Sequence, residues 1–162
     1  MLAITHAVIG LLSASLMKKL LFNSMSISSS SSVWHYSLLY YGATVLFSLF
    51  PDVDHKGSTI NKFFGITKVF PYFFRHRGFF HSIWPAIVLV CIMWNFSSVL
   101  SKGILVGYAS HLVSDGLTLA GVNFLYPATS FTLRGPVKTG GLGESIVFVI
   151  STGLLLYLFL FR

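Results

Sequence analysis

Carboxylates are nearly missing from this chain. Four acids, Asp52, Asp54, Asp115 and Glu144, stand in 162 residues, and charged residues of every kind make up 9%. Soluble domains average about 25% charged residues, so an ordinary soluble domain is excluded. The 54% hydrophobic content and the mean hydropathy of +0.79 agree. Cysteine is just as scarce: a single Cys91 excludes a disulfide framework, and its place inside an apolar run makes it a packing residue. A long basic run is absent too. Eleven Lys and Arg give a pI near 9.8, but they are scattered beside apolar stretches. That is the pattern of membrane topology signals, not of a nucleic-acid surface.

The apolar stretches fall at residues 1–22, 33–50, 81–100, 103–126 and 146–161. A membrane-spanning helix needs roughly 17–25 apolar residues, and the length suits one domain over residues 1–162. The expected fold is therefore an all-α polytopic membrane bundle with about four or five transmembrane helices. Residues 1–22 read as a retained helix, because Lys18 and Lys19 follow the apolar core, whereas a signal peptide carries its basic residues before it. Residues 23–32 are Ser-rich and read as a loop. Within residues 51–80, Ile60, Phe63, Phe64, Ile66, Val69 and Phe70 suggest a short amphipathic piece at the membrane interface. With five spans, seven Lys and Arg fall on the side of the N-terminus and the 51–80 loop, against Lys18, Lys19, Lys102 and Arg162 on the other. That bias favours a cytoplasmic N-terminus.

On this topology every acid, and five of the six His, gather toward the cytoplasmic face. The exception, His35, reads as a packing residue. Asp52 and Asp54, two apart, would point the same way in an extended segment. His111 and Asp115, four apart, share a helix face. His76 and His81 flank the flexible Gly78. With His6, His55 and Glu144 these make nine candidate ligands, about right for two ions. Mixed His and carboxylate donors suit Zn, Mn or Fe, with Mg the choice of carboxylates alone. Asp115, inside a span, is expensive unless it is used. A plain ion pair between Asp115 and Arg77 is the competing reading.

The motifs Thr5-His6 with Gly10, Pro51-Asp-Val-Asp-His55, His76-Arg-Gly-Phe-Phe-His81-Ser82, Gly107-Tyr-Ala-Ser-His111-Leu-Val-Ser-Asp115 with Thr118, and Tyr126-Pro127 occur in that order. Together they resemble the YdjM-type family, the LexA-regulated, membrane-bound, predicted metal-dependent hydrolases of bacteria. The resemblance spans nearly the whole chain. It implies an inner-membrane protein of the SOS response with a metal site at His6, Asp52, Asp54, His81, His111 and Asp115. Phe80 stands where the family often has Thr, so a hydroxyl contact there is lost. The His-x-x-x-Asp element is also distantly similar to one in zinc-dependent phospholipases C and single-strand-specific zinc nucleases.

The sequence therefore leads to the expectation of a membrane-bound hydrolase holding divalent metal, zinc favoured, and acting on a phosphoester such as a membrane lipid at the cytoplasmic face. Glu144 is expected as ligand or general base and Asp54 as a catalytic carboxylate. Arg77, with Arg75 and Arg134, is expected to hold the phosphate. The alternatives are a metal-ion or proton transporter and a non-catalytic protein whose helices are stapled by metal. Nucleic acid is disfavoured as a substrate.

Overall fold

The computed structural model describes residues 1–22, 30–63 and 77–161. It is all-helical there: α1 (Ala3–Phe22), α2 (Ser30–Leu49), a 3-10 turn (Phe50–Asp54), α3 (Thr59–Phe63), a second 3-10 turn (Phe79–His81), α4 (Ile83–Trp94), α5 (Ser98–Gly116) and α6 (Leu142–Phe161). The expected Ser-rich loop, the interfacial residues Phe64, Ile66, Val69 and Phe70, and the site residues Arg75 and His76 lie outside the described residues. Ile60 is buried against Val53 and Phe80, so this part of the expected interfacial piece belongs to the protein core.

Among the described residues two helices, α1 and α6, are long and apolar enough to cross a membrane, against the four or five spans expected from the sequence. The apolar run at 81–100 is not one helix. Trp94 ends α4 after 12 residues, and the Ser97 hydroxyl accepts from Leu100 N at 3.2 Å to cap the start of α5. At 1.5 Å per residue, α4 is about 18 Å long, short of the roughly 30 Å hydrocarbon layer. The run at 103–126 also divides, since α5 stops at Gly116. Residues 117–137 then fold back on themselves through backbone bonds between Val122 and Leu133 and between Leu119 and Val137.

The burial pattern is inside-out for a soluble protein. Leu142, Ile146, Val149, Leu156 and Phe159 of α6 are exposed, as are Trp34 and Leu38 of α2 and Val88 and Trp94 of α4. Thr5, His6, Thr44, Ser48, Ser101, Ser110, His111 and Asp115 are buried. An apolar exterior of this extent fits lipid rather than water.

Close helix contact holds the polar interior together. α5 is central and packs on α1, α2 and α4, while α6 packs on α1. Gly103 and Gly107, one small-xxx-small step on α5, meet α2. A Cβ on Gly103 would lie 2.7 Å from Ala43 Cβ, and one on Gly107 would overlap the Thr44 carbonyl oxygen. Small residues permit such approach where lipid supplies no hydrophobic drive between helices. Gly107→Ala is expected to destabilise the protein by about 1–3 kcal/mol through overpacking, read as a lower unfolding midpoint in detergent. Substitution at Gly42, which has open space, should leave that midpoint in place.

Candidate metal centre

The helix directions bring five chain segments to one end of the bundle. α1 starts there with His6, α2 ends there before Asp52, α4 starts there after His81, α5 ends there with His111 and Asp115, and α6 starts there with Glu144. The clustering expected from the sequence is therefore present in space. Two groups of side chains place donor atoms within 4.8 Å of one another: His6, His111 and Asp115, and Asp52, His81 and His111. His111 belongs to both. These groups could hold a metal ion.

The three imidazoles are oriented alike. His111 Nδ1 donates to the Ser48 carbonyl at 2.7 Å. His81 Nδ1 donates to Asp54 Oδ2 at 3.1 Å. The Ser114 hydroxyl gives its proton to the His111 carbonyl at 2.9 Å, so His6 Nδ1, 2.8 Å from that hydroxyl oxygen, must be the donor to it. Each ring thus carries its proton on Nδ1 by its hydrogen-bond partner and turns Nε2 inward. His81 and His111 bring their Nε2 atoms to 3.3 Å. Asp52 Oδ1 lies 3.5 Å from His81 Nε2 and 3.9 Å from His111 Nε2, and Asp115 lies 3.4 Å from His6 Nε2 and 3.7 Å from His81 Nε2. His6 Nε2 is buried with no hydrogen-bond partner. An orphaned inward lone pair beside the Asp115 carboxylate fits a cation, and Nδ1 bonds to carboxylate or carbonyl are the usual outer support of metal-ligating His.

The electrostatics point the same way. Burial alone would raise the Asp52 carboxyl, but the His81 hydrogen bond and the charges of His111 and His6 outweigh it and hold Asp52 well below the usual carboxylate range. Burial would lower His81, but its bonds to Asp52 and Asp54 carry it up to about 9, so an ion bound at Nε2 would displace the proton that Asp52 otherwise holds there. Asp115 Oδ1 receives the Met1 amino group at 2.7 Å, and its Oδ2 receives Arg77 at 2.9 Å. The buried carboxylates have drawn in whatever positive charge is within reach.

Several expected site residues stand elsewhere. The 51–55 segment is not extended. Residues 50–54 form a 3-10 turn, whose three residues per turn send positions two apart to different sides. Asp52 therefore faces the imidazole Nε2 atoms, while Asp54 sits behind His81 and also accepts the Arg77 backbone N–H at 3.2 Å. His55 is exposed and lies outside both groups. Glu144 also lies outside them: its oxygens accept the backbone N–H of Leu2 and of Gly140, each at 2.6 Å. It ties the start of α6 to the start of α1. Arg77 forms the ion pair with Asp115 that the sequence left as the competing reading. Its other guanidinium nitrogen reaches the Gly121 carbonyl at 2.6 Å, and its backbone sits at φ 60, a strained position for a side-chain-bearing residue. Arg134 is exposed on the 117–137 segment.

Sequence reasoning missed Ser48 and Ser114 as imidazole partners, since neither carries charge and Ser48, which acts through its backbone carbonyl, lies outside the motifs. The signal was there for Ser114, which sits between His111 and Asp115. A cavity of about 410 Å³, lined by Met1, Asp52, His55, Lys62, Arg77 and Thr139 among others, opens onto Asp52.

The sequence is similar to known proteins. YvsG, an uncharacterized protein of Bacillus subtilis, is 35% identical over 105 residues, covering 62% of this chain and 65% of YvsG. Inner membrane protein YdjM of Escherichia coli is 33% identical over 93 residues, covering 52% of this chain and 47% of that protein. The chain thus spans between about half and two thirds of the length of these curated relatives. No solved structure matches it. The family model described as YdjM inner membrane protein matches residues 1–161, and the chain belongs to that family of inner-membrane proteins.

Proposed function

We propose that the protein is a polytopic, membrane-embedded, metal-dependent hydrolase that cleaves a phosphoester at the cytoplasmic face of the inner membrane. One observation carries the reading: three imidazoles with anchored Nδ1 atoms turn Nε2 toward Asp52 and Asp115, in a buried place beside a cavity. His6, His81, His111, Asp52 and Asp115 would hold the ion. A divalent cation there supplies Lewis acidity toward a phosphoryl oxygen and makes water a stronger acid. Zinc is favoured by the predominance of imidazole over carboxylate.

The remaining steps belong to the chain. Asp54 fixes the His81 ring and its tautomer. Ser48 and Ser114 do the same for His111 and His6. Arg77 pairs with Asp115 and lines the cavity where an anionic substrate would arrive. In this topology α1, α2, α5 and α6 cross the bilayer and α4 enters part-way. The donor set sits about one turn inside the helix ends, at headgroup depth. Transport of an ion would instead place it near the midplane.

The test is a screen of phospholipid and phosphomonoester substrates with purified protein in lipid nanodiscs, with and without chelator. Turnover that chelator abolishes, and that Asp52→Asn lowers by at least about 100-fold, is expected, because a lost ligand should exceed the 10–100-fold effect of outer-shell changes. Metal bound at full occupancy with no turnover on any phosphoester would overturn the hydrolase reading.

A further inference from the structure

A second cavity, about 630 Å³, shares Arg77 with the one that opens onto Asp52. Its walls include Arg77, Arg134, Tyr126, Thr129, Ser130 and Thr132. Both of its charges are positive, and among the described residues none of the four acids lines it. Its hydroxyls come from the 117–137 segment, the same segment that leaves Leu119, Leu125, Phe131 and Leu133 exposed. In a membrane protein such an apolar fringe belongs at the interface, so the cavity mouth stands among lipid headgroups.

We infer that this cavity is a binding site for the headgroup of an anionic phospholipid whose headgroup is a polyol or sugar, with the phosphate against Arg77 and Arg134. The inference rests on the hydrolase reading only for what happens next to the bound lipid. The exposed Arg134 guanidinium suits a phosphate bidentately, Arg77, held by Asp115 and Gly121, adds positive charge beside it, and the three hydroxyls suit a polyol. A zwitterionic headgroup ends in an ammonium group, which needs a carboxylate or an aromatic cage. The described walls offer Tyr126 and no acid. The cavity therefore selects phosphatidylglycerol-like over phosphatidylcholine-like lipids. It also joins the metal centre through one residue, since Arg77 pairs with Asp115 on one side and lines this cavity on the other.

The test reads binding, not turnover. Protein stripped with chelator is titrated with phosphatidylglycerol in phosphatidylcholine nanodiscs, and bound lipid is counted by native mass spectrometry. A preference for phosphatidylglycerol is expected. Arg134→Gln should weaken it about fivefold, in line with the contribution of one basic residue near a lipid surface. Lys138→Gln, which removes a like charge next to that segment and outside the cavity, should leave it unchanged. Soluble glycerol phosphate should compete poorly, and effective competition by it would mean that the cavity takes a free phosphate ester instead. Equal binding of the two lipids, or equal loss with Arg134→Gln and Lys138→Gln, overturns the inference while leaving the hydrolase reading to its own assay. Selective lipid binding without turnover would sustain the headgroup site and count against hydrolysis.

Discussion

His111→Ala is expected to reduce metal affinity by more than about 100-fold, the upper end of what outer-shell changes achieve. His111 Nε2 is the donor shared by both ligand groups, so its loss breaks both. The effect should exceed that of Asp54→Asn or Ser114→Ala. Those variants leave every inward donor in place and disturb only the ring that each orients, for an expected loss of about 10–100-fold. The measurement is competitive titration of each purified variant against a chelator of known affinity. The order is the informative result. If Asp54→Asn matched or exceeded His111→Ala, Asp54 would be a direct ligand rather than the partner of His81 Nδ1. The unfolding midpoint of each variant separates lost affinity from lost fold.

Asp115→Ala is expected to be the most destabilising single change in the centre. Its carboxylate is buried and takes the Met1 amino group and Arg77. Truncation leaves those donors facing each other without a counter-charge. Removing one member of a buried pair costs about 3–5 kcal/mol. Arg77 keeps 19% of its side chain exposed, which moves the expectation toward the lower end. Thermal unfolding in detergent should show the loss. The double variant Arg77→Ala, Asp115→Ala should recover part of it, because the coupling between contacting charges is then removed from both sides. A loss below about 1 kcal/mol in metal-free protein would mean that the pair is screened like a surface salt bridge.

Much of this centre was legible in the residue order, for a physical reason. Carboxylates and imidazoles are costly in an apolar scaffold, so the few that remain mark where they are used. The alternation of helix directions then sorts them to one end of the bundle. His6, Asp52, His81, His111 and Asp115 came together as that argument expects. What failed was local geometry. Asp52 and Asp54 read as two carboxylates pointing together, and a single 3-10 turn set by Pro51 divides them between facing the imidazole nitrogens and backing His81. Glu144 read as a site acid because it is scarce and sits at the right end. The free backbone amides of Leu2 and Gly140 claimed it instead, and nothing in composition announces that. The span at 81–100 failed because hydropathy averages over Asn95 and Ser97, whereas the backbone uses Ser97 to begin a new helix.

Elemental analysis of the wild-type protein, purified from membranes without chelator, bears most directly on the centre. His111 has only Nε2 to offer and is required by both ligand groups, so one divalent ion per chain is expected, zinc first, falling below one tenth of that (on the order of the 100-fold affinity loss) in His111→Ala. Wild-type protein that keeps its fold and carries no stoichiometric metal, even after reconstitution with zinc, manganese or iron, would contradict the account. The convergent Nε2 atoms would then be a proton-sharing network among buried side chains.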